Sequence, residues 1–413
     1  MTPQEELLEL VSQPGPPSIA PAAYDTARRA RACRAEAPDQ PAFPEALGWL
    51  LRHQHGDGTW GSAVGQHHDR VISTLAAMAA LAQWREVAGD PEGFTERLHT
   101  AAWGIAPHAA ALGRDLCPLV DFVPLAAALA AEVRWRGLVL PIDGPKTAGD
   151  LTALPPAGTS APSVEPSAAF ERAWILHNVA LAFPDFQGIW ADAVASLQAE
   201  QHDLAGTQVR DLAASAAAFR VLTWAGRSPD PQPLLQAVGD SDSRWNGCDR
   251  PSPTIGAQAH LLAALRSAGP FEGATRKIVG LLARTAGDCF WIDGQHASPY
   301  HATAQVVIGL HNELSLAQEA VAWIEQTQRP DGSWGHYPVA TAEETATCLQ
   351  ALACHRRSGG PVTPGVIEAG ARWLRGEGAA ASGHEPLWVG RSLYHPARIV
   401  RSAVLSALVL SGC

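Results

Sequence analysis

Two eight-residue stretches limit what this chain can fold into. Residues 54–61 read Gln-His-Gly-Asp-Gly-Thr-Trp-Gly, and residues 328–335 read Gln-Arg-Pro-Asp-Gly-Ser-Trp-Gly. Both carry Gln, a variable pair, Asp-Gly, a hydroxyl residue and Trp-Gly. An apolar segment precedes each (ALGWLLRH and AVAWIEQT), and another follows (DRVISTLAAMAAL and EETATCLQALA). Asp-Gly favours a tight turn, Gln has the reach to bond an adjoining helix end, and an indole covers the seam between neighbours. A helix, turn, helix unit recurring across a chain predicts stacked helical hairpins, as in a solenoid or an α/α barrel. Trp60 and Trp334 are therefore expected in equivalent seams, with a structural role.

The remaining pattern agrees. Segments 71–84, 121–135, 211–226, 255–269, 303–314 and 342–357 carry long apolar faces at helical spacing, divided by Gly and Pro. No stretch alternates with strand period for long. Residues 141–168, rich in Pro, Gly, Ala, Ser and Thr, read as a linker or surface loop. A length of 413 residues is enough for two domains with cores of their own. The net charge of −11 and the lack of any basic run exclude the electrostatic footprint of a nucleic-acid binder. The acidic, polar start has no apolar signal core, and no uncharged apolar run approaches the ~20 residues of a membrane span. Seven scattered cysteines without a Cys-x-x-Cys pair suit reduced thiols, so a cytoplasmic location is expected. No zinc-ligand spacing, nucleophile elbow or phosphate-binding glycine loop is visible.

The Trp-Gly turns are similar to the QW motifs of triterpene and class II diterpene cyclases, and further segments extend the likeness. AAYDTARRA (22–30) resembles the first helix of the bacterial diterpene cyclases. FERAWILHN (170–178) resembles their central segment, and WIDGQHASPYHATAQVVIGL (291–310) their Trp-x-Asp-Lys-Trp-His-x-Ser-Pro-Tyr-Tyr-Ala-Thr stretch. EETATCLQAL (343–352) and LWVGRSLYHPARIVRSAVLSAL (387–408) complete a set that runs in family order. The resemblance implies an all-α protein of two α/α barrels, the γβ architecture, with γ inserted after the first β-domain helix. Residues 1–31 and 165–413 would form the β-like domain and 32–164 a shortened γ-like domain. It also implies a prenyl (isoprenoid) substrate. No cofactor is certain, although Mg2+ would accompany a diphosphate; the likeness leaves any metal and the oligomeric state open.

The chemistry implied by the family begins with Asp-x-Asp-Asp followed by Thr-Ala, whose middle Asp protonates an alkene or epoxide. Such a step needs a carboxylic acid kept protonated by burial. Alignment through LTWAGRSPDP places that motif on Asp211, Leu212, Ala213 and Ala214, so the middle carboxyl is missing. The family's Asp-Lys-Trp-His becomes Asp293, Gly294, Gln295 and His296, and its Asn-Ala-His becomes Gln258, Ala259 and His260. Asp211, Asp293, His296, His260 and Tyr300 are the candidate catalytic residues, with His301 beside Tyr300. Ala213 and Ala214 would leave room for substrate. Trp245 and Trp291 would present π faces to a carbocation, and Arg250 and Arg391 are possible anion partners. Two hypotheses follow: an enzyme with a relocated acid, or a non-catalytic prenyl-binding or partner protein derived from a cyclase.

Overall fold

Apolar faces at helical spacing fold as helices over about two thirds of the described chain. The computed structural model describes residues 1–12, 18–90, 93–142, 167–185, 188–200, 210–244, 254–287, 289–311, 313–376 and 385–412, without the side chains of 210, 211 and 239–244. In chain order come α1 (Pro3–Ser12), α2 (Ala23–Ala30), the short antiparallel pair β1 (Cys33–Arg34) and β2 (Ala37–Pro41), and α3 (Pro44–Arg52). Then follow α4 (His67–Ala88), α5 (Phe94–Ala110), α6 (Phe122–Trp135), α7 (Ala168–Ala182) and α8 (Ala191–Ala199). Next are α9 (Arg210–Trp224), α10 (Gln232–Arg244), α11 (Ile255–Ala268), α12 (Glu272–Thr285), α13 (Pro299–Gly309) and α14 (Leu314–Gln326). The last are α15 (Ala342–Arg357), α16 (Val366–Arg375), the pair β3 (Trp388–Val389) and β4 (Leu393–Tyr394), and α17 (Ala397–Leu410). The protein is all-α in class, as expected.

The chain divides into two units, Met1–Ser18 with Glu165–His384 and Pro396–Cys413, and Ile19–Val164 with Glu385–His395. In the first, α7 packs on α9, α9 on α11, α11 on α13, α13 on α15, α15 on α17, and α17 back on α7. That order closes a ring of six inner helices. The outer helices lie against it: α1 on α17, α8 on α7, α12 on α11, α14 on α13 and α15, and α16 on α15. This is an α/α barrel. Inner helices α7, α11, α13 and α15 each start at a Ser or Thr cap: Ser167, Thr254, Ser298 and Thr341 accept from the N–H of Phe170, Ala257, Tyr300 and Glu344. In the second unit α4 is the core, buried along most of its length and packed against α2, α3, α5 and α6.

The unit boundaries differ from the expected split at 31 and 165. Helix α2 packs on α3 and α4, so it joins the second unit, and the inserted unit starts at residue 19. Segment 385–395 joins it too. There the buried Asp69 carboxylate accepts from the N–H of Leu393 at 2.8 Å, and Val120 N–H donates to Gly390 at 2.9 Å. The helix that precedes the insertion is α1, whose apolar side carries the fully buried Leu7.

The two Trp-Gly turns are built alike. The indole N–H of Trp60 donates to Leu50 O (2.8 Å), and that of Trp334 to Ile324 O (2.7 Å). Each Trp backbone N–H donates to a threonine hydroxyl on the following helix, Thr74 or Thr345, both at 3.0 Å. Gln54 and Gln328 each donate to a carbonyl in their own turn and to one on a neighbouring segment, Arg97 O or Val366 O. Gly58 and Gly332 take φ of +86° and +94°, and a Cβ at Gly332 would lie 2.6 Å from Ala369 O. Trp60 and Trp334 are fully buried.

Trp291 has the same bonds, to Leu282 O (3.0 Å) and to the Thr303 hydroxyl (3.0 Å), with Cys289 at φ +69° in the glycine position. It is a third seam tryptophan within the packed core. The expectation that Trp291 presents its face to a substrate is therefore corrected.

Trp334→Ala should lower stability by about 3–5 kcal/mol, the range for emptying a buried aromatic site. Chemical denaturation measures this, and an unchanged midpoint would contradict the seam assignment.

Candidate active site

The turn before α13 carries two of the expected polar residues, Asp293 and His296. Asp293 is buried between the starts of α11 and α13. Its Oδ2 accepts from Gly256 N–H at 2.7 Å and its Oδ1 from Gln295 N–H at 2.8 Å. A Cβ at residue 256 would stand 2.5 Å from Oδ2, so the glycine admits the carboxyl. Burial pushes the Asp293 carboxyl up, against the opposing pull of those two N–H donors, the Thr254 hydroxyl and His296.

His296, also buried, has its Nδ1 3.1 Å from the Ser298 N–H, which donates to it. With Nδ1 accepting, Nε2 carries the proton and faces Glu343 Oε1 at 3.2 Å. The next residue, Glu344, is fixed through Ser298 Oγ (2.6 Å), His336 N–H (2.8 Å) and Thr341 Oγ (2.8 Å).

A line of rings continues inward from His296. His301 stacks on it, centroids 4.3 Å apart and planes within 12°. Trp174 of α7 lies 6.3 Å from His301 and meets His260 edge-on at 4.7 Å, and His260 lies 4.9 Å from His177. Burial, and then the Arg220 charge, lower His260 from 6.5 to about 3. Burial likewise holds His177 well below its ordinary value, with His260, Arg220 and His301 adding to the effect. Both rings are neutral near pH 7. Among the described residues no protein group bonds either nitrogen of His177, Nε2 of His260, the side-chain amide of Gln258 or Nη1 of Arg220. Buried polar atoms left open in this way are the positions where water or a polar ligand is held.

Other expected residues fall elsewhere. The Tyr300 ring lies 4.9 Å from Trp323 and its hydroxyl bonds Thr327, so it faces the outer helix α14. Burial raises that phenol to about 12. Its expected catalytic place inside the ring is corrected, because the second residue of α13 points outward. Ala214 is packed with Leu7, Ala169, Leu176 and Val194 in the core between α9 and α7, which corrects its expected place in a substrate wall. Ala213 is buried on α9. Asp211 lies in the first turn of α9, its side chain outside the description, and Trp245 and Arg250 lie outside the described residues. Arg391 belongs to the second unit, where its Nε stands 3.8 Å from Asp121.

Sequence reasoning did not single out Trp174, His177, Arg220 or Glu343. The available signal was a lone ionisable residue on an otherwise apolar helix, as in WILHNVALA and AASAAAFRVL. His296, His301 and Glu343, whose ligand atoms lie within 4.8 Å of one another, are two imidazoles and one carboxylate, whereas Mg2+ favours oxygen ligands.

The ring of helices and its polar lining define a protein of the terpene cyclase fold. Over 100% of this chain and 99% of the other, it superposes on ent-copalyl diphosphate synthase from Streptomyces platensis with a TM-score of 0.75 and 25% identity. It is 29% identical over 487 residues to the type B diterpene cyclase of Mycobacterium tuberculosis, covering 95% of this chain and 96% of that one. It is 33% identical over 272 residues to a copalyl diphosphate synthase of Streptomyces cyslabdanicus, covering 60% of this chain and 50% of that enzyme. No family model matches. Over its whole length the chain is similar to the bacterial class II terpene cyclases. Among the described residues no helix is long and apolar enough to cross a membrane.

The neutral histidines make stability depend on pH. In the unfolded chain they protonate near pH 6.5, roughly, whereas His260 in the fold does so only at about 3. Their contribution is complete above the unfolded value and is lost as pH falls toward the folded one, at about 1.4 kcal/mol per pH unit for each ring. Denaturant unfolding should show lower stability at pH 5 than at pH 7, and His260→Phe should reduce the difference. A pH response identical in that variant would contradict a neutral buried ring.

Proposed function

We propose that this protein is a class II terpene cyclase-like enzyme that folds a prenyl substrate inside the six-helix ring and begins with an acid other than residue 213. What supports this reading is the end-to-end match to a cyclase, together with the sequence register that sets Ala213 where the acid of the family would stand. In this reading Asp293 is the proton donor. Its burial favours the protonated acid, and the N–H groups of Gly256 and Gln295 stabilise the carboxylate left behind. The acid's O–H bond breaks, a C–H bond forms at the terminal alkene carbon, and the neighbouring carbon becomes cationic. The Trp174 ring offers that cation a π face. Depressed His260 and His177 are too weakly basic to take the acid's proton first. Asp211, the remaining carboxyl on α9, is the second candidate donor.

A non-catalytic prenyl-binding protein is the alternative reading. It is favoured by the way hydrogen-bond donors already occupy Asp293 and Glu344.

Incubation with geranyl, farnesyl and geranylgeranyl diphosphates and the corresponding alcohols, followed by mass spectrometry, separates the two. A cyclic product is expected. Bound but unchanged substrate would support the binding protein.

Asp293→Asn should lower turnover by about 10²–10⁴-fold, the usual worth of a general acid, with the fold retained. Wild-type rates in both Asp293→Asn and Asp211→Asn would remove these carboxyls from initiation. Ala213→Asp should introduce a buried, protonated carboxyl and add protonation-initiated cyclisation of geranylgeranyl diphosphate. A folded variant that binds the substrate without cyclising it would show that more of the site has changed than its acid.

A further inference from the structure

Where α13 and α15 begin side by side, the helices bring together two imidazoles and a carboxylate. We propose that His296, His301 and Glu343 bind one divalent first-row transition-metal ion, in an N2O site with at least one open position. One ligand atom from each residue lies within 4.8 Å of the other two. An ion with bonds of roughly 2.0–2.2 Å holds its donors about 3.4 Å apart. His296 Nε2 and Glu343 Oε1, at 3.2 Å, already meet that spacing. The His301 ring, stacked within 12° of the His296 plane, tilts out of that stack to turn its lone pair onto the ion.

The support behind the donors suits such a site. When Nε2 of His296 binds the metal, the proton moves to Nδ1, the bond from the Ser298 N–H is given up, and Nδ1–H turns to the Ser298 carbonyl at 3.4 Å. A metal-bound histidine commonly donates its other N–H to a backbone carbonyl in this way. The start of α15 is held in place by the three bonds to Glu344, so the adjoining Glu343 projects from fixed backbone. His301 is held between the His296 ring and Trp174. These donors select ions of the Zn2+, Co2+ or Fe2+ type over Mg2+ and Ca2+, which favour oxygen. Three protein ligands leave a fourth position for water or the oxygen of a ligand. The site does not depend on the cyclase reading, because it concerns binding of the ion alone.

The test uses the full chain without an affinity tag, treated with chelator and titrated with Co2+, with Zn2+ as competitor. One equivalent of Co2+ should produce the intense visible bands of a four- or five-coordinate site, and Zn2+ should abolish them. His301→Phe keeps a stacked ring and removes the donor; Glu343→Gln removes the charge. Each should weaken binding at least about tenfold, the smaller effect seen when even a supporting partner of a ligand is lost. Circular dichroism and melting temperature establish that the variants fold. Absence of Co2+ bands from the wild-type protein would overturn the proposal, whatever the variants do. Folded variants that bind as tightly as wild type would overturn it too, by placing the ion on other histidines.

Discussion

An indole N–H donating to the last turn of the preceding helix is the bond on which this architecture depends. It recurs at Trp60, Trp291 and Trp334, each time with a threonine hydroxyl from the following helix on the tryptophan's own backbone N–H. The accepting carbonyls also take a local bond, Leu50 O from His53 N–H, Leu282 O from Ala286 N–H and Ile324 O from the Thr327 hydroxyl, so the indole adds a second donor from the turn while its ring covers the seam. Outer helix, turn and inner helix are thereby locked as one piece. In the barrel unit two such pieces, α12 with α13 and α14 with α15, set two of the six inner helices. The inner helices approach closely because their packed faces are rich in alanine, as at Ala216, Ala259, Ala302 and Ala346.

A ring packed in this way controls the charge states of whatever it encloses. Burial holds His177 and His260 neutral and lifts the Asp293 carboxyl toward its acid form. The same low-dielectric setting strengthens any fixed dipole or cation aimed at a bound group. The proposed initiation at Asp293 and the proposed ion at His296, His301 and Glu343 would draw on adjoining parts of one polar layer at the starts of the inner helices. They have different chemical requirements. The acid needs a protonated carboxyl held by N–H donors, whereas the ion needs deprotonated donors with converging lone pairs.

The seams at Trp60 and Trp334 were legible because Gln, Asp-Gly and Trp-Gly each have a local geometric reason. The third seam was not, because Thr285 stands in place of the glutamine, Cys289 of the turn glycine and Ile292 of the final glycine. Trp291 therefore read as a cavity residue. Asp293 and His296 were found through the turn that carries them, while Glu343, forty-seven residues later, pairs with His296 only after α13 and α15 pack. Tyr300 was misplaced because adjacent positions on one helix face opposite ways: His301 looks inward and Tyr300 toward α14. The boundary near residue 31 moved because α2 looks like any amphipathic helix in sequence, and packing on α3 and α4 decides its unit.

The central claim is that a proton still starts the reaction although residue 213 is alanine. Running the wild-type reaction in D2O and weighing the product tests it most directly. Protonation by a carboxylic acid that exchanges with solvent places one deuteron on carbon at the former terminal alkene, so the product should gain one mass unit there. A cyclic product without deuterium at that carbon would contradict the account, since ring closure would then have begun without an acid.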